Sequence, residues 1–186
     1  ALASPIPPVE VNEAVCQELF FEGNRLNGEG NGLDALPVPL STPGFDVAPY
    51  LTATSCISRD PETGIQNMGT YRGGIKASNR IGLKMFVNLR QGGHSHWSKY
   101  KQQGKKMPMA IIVGCPPALA YVSPQKVREN VDEISVAGAL AGSPIRVVKA
   151  KTIDLLVPAD AEIVIEGLVD TNMLEPEGPF GESHGH

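Results

Sequence analysis

The sequence has no apolar run near the roughly 20 residues that a bilayer-spanning helix requires. Its start, ALASPIPPVEVNEAV, lacks the basic-then-apolar order of a secretory signal. A cytoplasmic protein without membrane contact is therefore expected. Cysteine is scarce: Cys16, Cys56 and Cys115 are an odd number at wide spacing with no C-x-x-C, which excludes a disulfide framework and a thiolate zinc site. They read as small apolar residues. Positive charge is short too, since Lys+Arg 16 against Asp+Glu 20 leaves a net charge of −4. Nothing draws the chain as a whole to a phosphate backbone, and nucleic acid is not expected as a partner. Gly 20 and Pro 16 are plentiful but follow no triplet period, which excludes collagen-like and coiled-coil chains and predicts short elements joined by many turns.

Residues 1–48 read as an extended N-terminal arm. Two proline clusters, Pro5 to Pro8 and Pro37 to Pro43, flank GNRLNGEGNG, a stretch too rich in Gly and Asn to pack. From residue 49 to 186 the pattern is that of a packed core. PYLTATSCI followed by RDPETG reads as strand then turn, and NMGTYRGGIKASNRIGLKMFVNL as extended segments joined at Ala77 to Arg80, with Gly73 and Gly74 marking a bulge or a close approach of backbone. SHWSKYKQQGKK has the spacing of a surface helix ending at a glycine. MPMAIIVG reads as a buried strand, and PPALAYV and NVDEISVAGALAG as helices. IRVVKAKTIDLLVPADAEIVIEGLV reads as at least two more strands. The sum is a mixed α+β domain with strands far apart in sequence, more like a closed or split barrel than a doubly wound sheet.

The richest chemistry lies in LEPEGPFGESHGH. Glu177 and Glu182, five apart across a Gly-Pro-Phe-Gly bend, can face one small volume, where repulsion and burial suit a carboxylate pair to general acid/base work. A solvated acidic segment is the plainer alternative. Asn67 and Arg72 in QNMGTYRGG offer an amide and a guanidinium fork among glycines, either an anion clamp or a surface ion pair. His94 and His96 in GGHSHW are two apart, so on a helix only one of them faces a given ion. No H-E-x-x-H completes a zinc site. Glu133, beside Asp132, sits in an otherwise apolar helix, as the polar edge of its first turn or as a carboxylate with a partner. His184 and His186 look like ligands on paper but lie at the chain end.

Taken in order, RDPETGIQNMGTYR, MPMAIIVGCPPA, DEISVAGALAG, VVKAKTIDLLVPADAEIVIEG and EPEGPFGE resemble the core of the UbiD family of decarboxylases, from about residue 5 to residue 186. The most specific parts are VPADAEIVIEG followed by EGPFGE, with N-x-G-x-Y-R in front. The resemblance implies a flavin reductase-like split barrel with short flanking helices that binds prenylated FMN. The flavin's phosphate would be held through Mn2+ or Mg2+ by Asn67, a histidine and Glu133, with K+ nearby. The histidine is His94 by preference and His96 by alternative, because the segment between GGH and MPMA is about two residues shorter than in the family. Thr52, Tyr71, Ser123 and Pro124 fall on further flavin-contacting positions. The family's catalytic Glu-Arg-Glu network falls on Glu177, Arg72 and Glu182.

The reaction implied is the reversible, non-oxidative decarboxylation of an α,β-unsaturated or hydroxy-aromatic acid. The resemblance further implies a flavin prenyltransferase as supplier of the cofactor and a homo-oligomer for the full-length protein. The family's preceding α/β region and following domain lie outside the stretch seen here. Two other readings compete: a non-catalytic flavin-binding module or inactive fragment, and a metal-dependent hydrolase. A mere binder has no use for both carboxylates and Arg72 at this spacing.

Overall fold

The computed structural model describes residues 3–27, 30–85, 92–128 and 131–182. They form two compact units. The first comprises Ala1–Glu18, Ala53–Thr70 and Met85–Leu174, and the second Leu19–Thr52, Tyr71–Lys84 and Glu175–His186.

The first unit is built on an antiparallel sheet of β3 (Thr54–Arg59), β4 (Gln66–Gly69), β7 (Met107–Val113) and β10 (Ile163–Val169), in the order β10-β7-β3-β4. MPMAIIV is buried almost throughout because β7 is central and covered on both faces. Side chains alternate along β3, so Ile57 and Ser58 face opposite ways. Ile57 joins a core with Leu119 and Val122 of α2 (Pro117–Val122) and with Ile134, Val136 and Ala137 of α3 (Glu133–Ala141). Ser58 instead meets α1 (Gly92–Gln102), its hydroxyl 2.9 Å from His96 Nδ1.

Local chemistry sets the helix ends. Asp132 caps α3 by accepting the amides of Ile134 and Ser135 at 3.0 and 3.2 Å, and Gly142 ends it with a φ of 74° that costs other residues strain. Beyond α1, Gly104 turns the chain at a φ of 65°.

A second sheet in this unit pairs β1 (Val9–Glu10) in parallel with β8 (Arg146–Lys149), itself antiparallel to β9 (Leu156–Pro158). Gln66 ties the two sheets together. Its amide donates to the Leu156 carbonyl at 3.0 Å and accepts the Leu156 N–H at 2.7 Å, so a side chain stands in for a missing strand neighbour. Val147 and Val157 join the same core.

The second unit holds β2 (Tyr50–Leu51), β5 (Gly73–Ala77) and β6 (Arg80–Leu83), with β5 central. The turn at Ala77 to Arg80 closes the hairpin, and its register shifts between Ile75 and Ala77. The two glycines of β5 reflect close approach: a Cβ at Gly73 would lie 2.8 Å from the Ile81 side chain, and one at Gly74 3.0 Å from the Tyr50 ring.

The expected barrel does not close. Among the described residues the strands form three separate open sheets, with β10 and β4 at the edges of the largest. The class is mixed α+β, as the alternation of strands and short helices indicated.

Candidate functional site

In the second unit, Arg72 immediately precedes β5, and its carbonyl accepts the Lys84 amide at 3.2 Å, which anchors the backbone beneath the guanidinium. That guanidinium is the hub of an acidic cluster. Nε and one terminal nitrogen meet the two carboxylate oxygens of Glu177, each at 2.8 Å, in the bidentate fork that arginine geometry favours. Its other terminal nitrogen donates to Glu182. Of the five N–H donors of an arginine, the two carboxylates engage three. The Phe180 ring lies 4.6 Å below the guanidinium carbon and shields it from water. The Glu177 carboxylate holds the Arg72 pKa above its ordinary value.

The five-residue step from Glu177 to Glu182 thus brings two carboxylates onto one cation. The backbone between them is fixed by partners with no signature in the sequence. The Tyr50 hydroxyl and Lys76 Nζ donate to the Glu177 carbonyl, the lysine at 3.2 Å. Lys76 also donates to the Pro176 carbonyl at 3.1 Å, and the Val47 amide to that of Pro179 at 3.3 Å. Asp46 accepts the Gly181 amide at 2.7 Å. Tyr50 packs its ring 4.5 Å from Phe180, and burial together with the Glu177 charge pushes its phenol above the usual range.

In the first unit, Asn67 lies on β4 and Glu133 reaches that strand. Asn67 lies opposite Ser58 across the β3–β4 pair, on the face covered by α1. Gly92, the first residue of α1, approaches it so closely that a Cβ there would sit 1.9 Å from Asn67 Oδ1. Glu133 opens α3 and reaches the next residue of the edge strand, accepting the Met68 amide at 3.0 Å. Its carboxyl is buried, and the loss of water pushes its pKa up to about 7 against the pull of that bond. Asn67 Nδ2 is buried without a hydrogen-bond partner among the described residues.

Asn67 Oδ1 and the Glu133 carboxylate are hard oxygen donors of the kind that Mn2+ or Mg2+ takes. The imidazole of the expected set is less plainly placed. His94 has its ring 5.6 Å from that of Trp97, whereas the buried His96 is the one bonded to Ser58, opposite Asn67. Among the described residues no three His, Cys, Asp or Glu side chains group as a metal site. His184 and His186 lie outside the described residues.

The remaining expected flavin contacts differ in kind. Ser123 is buried, with its hydroxyl 3.0 Å from that of Thr70. Tyr71 is buried, while Thr52 and Pro124 are exposed. No helix among the described residues is long and apolar enough to cross a membrane.

Comparison with known proteins shows the family. The family model described as UbiD, the 3-octaprenyl-4-hydroxybenzoate carboxy-lyase Rift-related domain, matches residues 8–186. The UbiD-class enzyme HmfF from Pelotomaculum thermopropionicum, solved in complex with FMN, superposes with a TM-score of 0.89 at 32% identity over 100% of this chain and 40% of its own. An evolved dimeric form of HmfF, solved with prenylated FMN, gives 0.83 at 30% identity over 99% and 41%. The closed form of vanillic acid decarboxylase from Sedimentibacter hydroxybenzoicus gives 0.86 at 30% identity over 96% and 37%. The chain therefore spans less than half the length of each of these proteins.

Proposed function

The chain belongs to the UbiD family of carboxy-lyases, and from that premise we propose that it is the part of a decarboxylase that binds prenylated FMN. In this reading it carries the proton-handling side chains for reversible loss of carbon dioxide from an α,β-unsaturated or hydroxy-aromatic acid. The observation that carries the proposal is the fork of Arg72 on Glu177 with Glu182 on its remaining terminal nitrogen. A module that only bound flavin would have no use for two carboxylates converging on one guanidinium.

When bound, prenylated FMN would supply an electron sink for the departing carbon dioxide. The residues of this chain do the rest. Glu177, fixed through both oxygens, keeps Arg72 charged and in one orientation. The Arg72 N–H groups left over are donors for a substrate carboxylate. Glu182, which meets Arg72 through its remaining terminal nitrogen, returns in its acid form a proton to the carbon that lost carbon dioxide. Asn67, Glu133 and His94, or His96 in its place, would hold Mn2+ or Mg2+ at the cofactor phosphate, with K+ alongside. Thr52, Tyr71, Ser123 and Pro124 would touch the flavin.

The split-barrel description belongs to the same proposal. So do a cytoplasmic setting, a homo-oligomer for the longer protein and a flavin prenyltransferase as source of the cofactor.

The test is to co-express the longer protein with a flavin prenyltransferase and record absorbance and mass of the purified product. A shifted flavin band with the prenylated mass, and carbon dioxide release from a cinnamate- or hydroxybenzoate-like acid, is expected. A colourless protein rejects flavin binding. A flavin-loaded protein inert toward every such acid favours the non-catalytic module.

A further inference from the structure

We propose that Asp46 is a positioning residue for Glu182, acting through the backbone of the acidic loop. The inference rests on the reading of Glu182 as the proton donor. Asp46 is a buried acid in a segment, STPGFD, whose composition suggests nothing but loop. Each of its oxygens has a separate task. Oδ2 accepts the Thr42 amide at 2.7 Å and Oδ1 the Gly181 amide at 2.7 Å.

The first bond closes a small ring. The Phe45 and Asp46 amides both return to the Thr42 carbonyl at 3.0 Å, and Gly44 makes the turn at a φ of 85°. The carboxylate therefore hangs from a rigid frame. The second bond hands that rigidity to Gly181, the residue directly before Glu182. Gly181 is also the point of closest approach, since a Cβ there would lie 2.3 Å from Thr42 Oγ1.

Glu182 follows Gly181 directly in the chain. Its carboxylate is committed to Arg72, and its approach to that cation is set by where Gly181 is pinned. A charged acceptor suits the task, because a carboxylate binds two amides from different segments at once, and such bonds are stronger than neutral ones. Removing it frees the loop at the one position where displacement carries straight into the proton donor. Misplacement of a reacting group by about 1 Å is enough to cost roughly 100-fold in rate.

The experiment compares Asp46→Ala with Asp46→Asn in the flavin-loaded protein. Asn keeps one oxygen, for the Gly181 or the Thr42 amide, and sets an NH2 against the other; Ala loses both acceptors. In Asp46→Ala, kcat should fall about 10- to 100-fold with KM within about twofold and flavin retained, and Asp46→Asn should lie between it and the unaltered protein. Amide hydrogen exchange of the peptide containing Gly181 should accelerate about tenfold in the alanine variant and less in the asparagine one. Unchanged kcat in Asp46→Ala overturns the proposal, as does a fall in kcat with no faster exchange at Gly181. If the unaltered protein turns over no acid, the functional reading fails, and exchange at Gly181 still decides whether Asp46 fixes the loop.

Discussion

Ser58 stands directly opposite Asn67 across β3 and β4, and its hydroxyl is 2.9 Å from Nδ1 of the buried His96. One ring nitrogen of the GGHSHW pair thereby joins α1 to the sheet. Burial holds the His96 pKa below its usual value, as expected of a neutral ring enclosed by protein.

The two histidines should accordingly separate in experiment. His96→Gln should lower thermal stability, at a cost of about 1–3 kcal/mol for a buried partner left unpaired, while bound manganese persists. His94→Gln should release manganese, measured by elemental analysis of purified holoprotein, with little change in melting temperature. The reverse pattern assigns the ligand role to His96.

Glu133 predicts a pH dependence in metal-free protein. Its folded pKa of about 7 lies above the ordinary 4.5, so across that window the native state holds a proton that the unfolded state has released. Stability from this group is present below about pH 4.5 and is lost as pH rises through 7. Glu133→Gln, which keeps an acceptor for the Met68 amide, should raise the melting temperature of the metal-free protein at pH 8 and leave it nearly unchanged at pH 4. Added manganese should stabilise only the unaltered protein. Equal melting curves for the two proteins at pH 8 would count against a buried, unsolvated carboxyl.

Arg72→Lys keeps the charge and discards the fork. An ammonium cannot satisfy both Glu177 oxygens and Glu182 in the geometry seen here. Turnover should fall by about 100-fold or more, the scale seen when a reacting group is misplaced, while flavin absorbance is retained. Retained turnover in Arg72→Lys would show that charge alone suffices.

Much of this arrangement was legible from short-range chemistry. Asp132 and Gly142 bracket α3 as a capping residue and a left-handed terminator, and the hairpin turns where Ala77 to Arg80 indicated. The spacing of Glu177 and Glu182 announced their convergence because both lie on one constrained bend. What stayed hidden depends on partners remote in sequence. Val9–Glu10 looks like part of a proline-rich arm, and only β8 makes it a strand. Asp46 is separated from Gly181 by 135 positions, and no local pattern distinguishes its buried carboxylate from the solvated acids around it. Which strand edges pair was hidden for a related reason. Alternation and β-propensity mark strands, but not which edges stay unpaired, and the Met68 amide on the β4 edge is taken by Glu133 instead of another strand.

Gly181 offers the sharpest steric test. An added Cβ would lie 2.3 Å from Thr42 Oγ1 and 2.9 Å from Thr42 Cβ, distances that real side chains do not tolerate, so one of the two segments must move. Thr42 is held by both of its backbone groups: its amide goes to Asp46, and its carbonyl accepts the amides of Phe45 and Asp46. The acidic loop is therefore the part that yields, carrying Glu182 away from Arg72. Gly181→Ala should lower kcat by about 10- to 100-fold with flavin still bound. Thr42→Gly removes the obstructing atoms while leaving the Thr42 backbone bonds in place, and combined with Gly181→Ala it should recover most of the rate. Such recovery is a coupling that two independent defects cannot produce, because unrelated losses add. A double variant as slow as Gly181→Ala alone would show that the glycine is needed for its backbone freedom and not for the room that Thr42 denies.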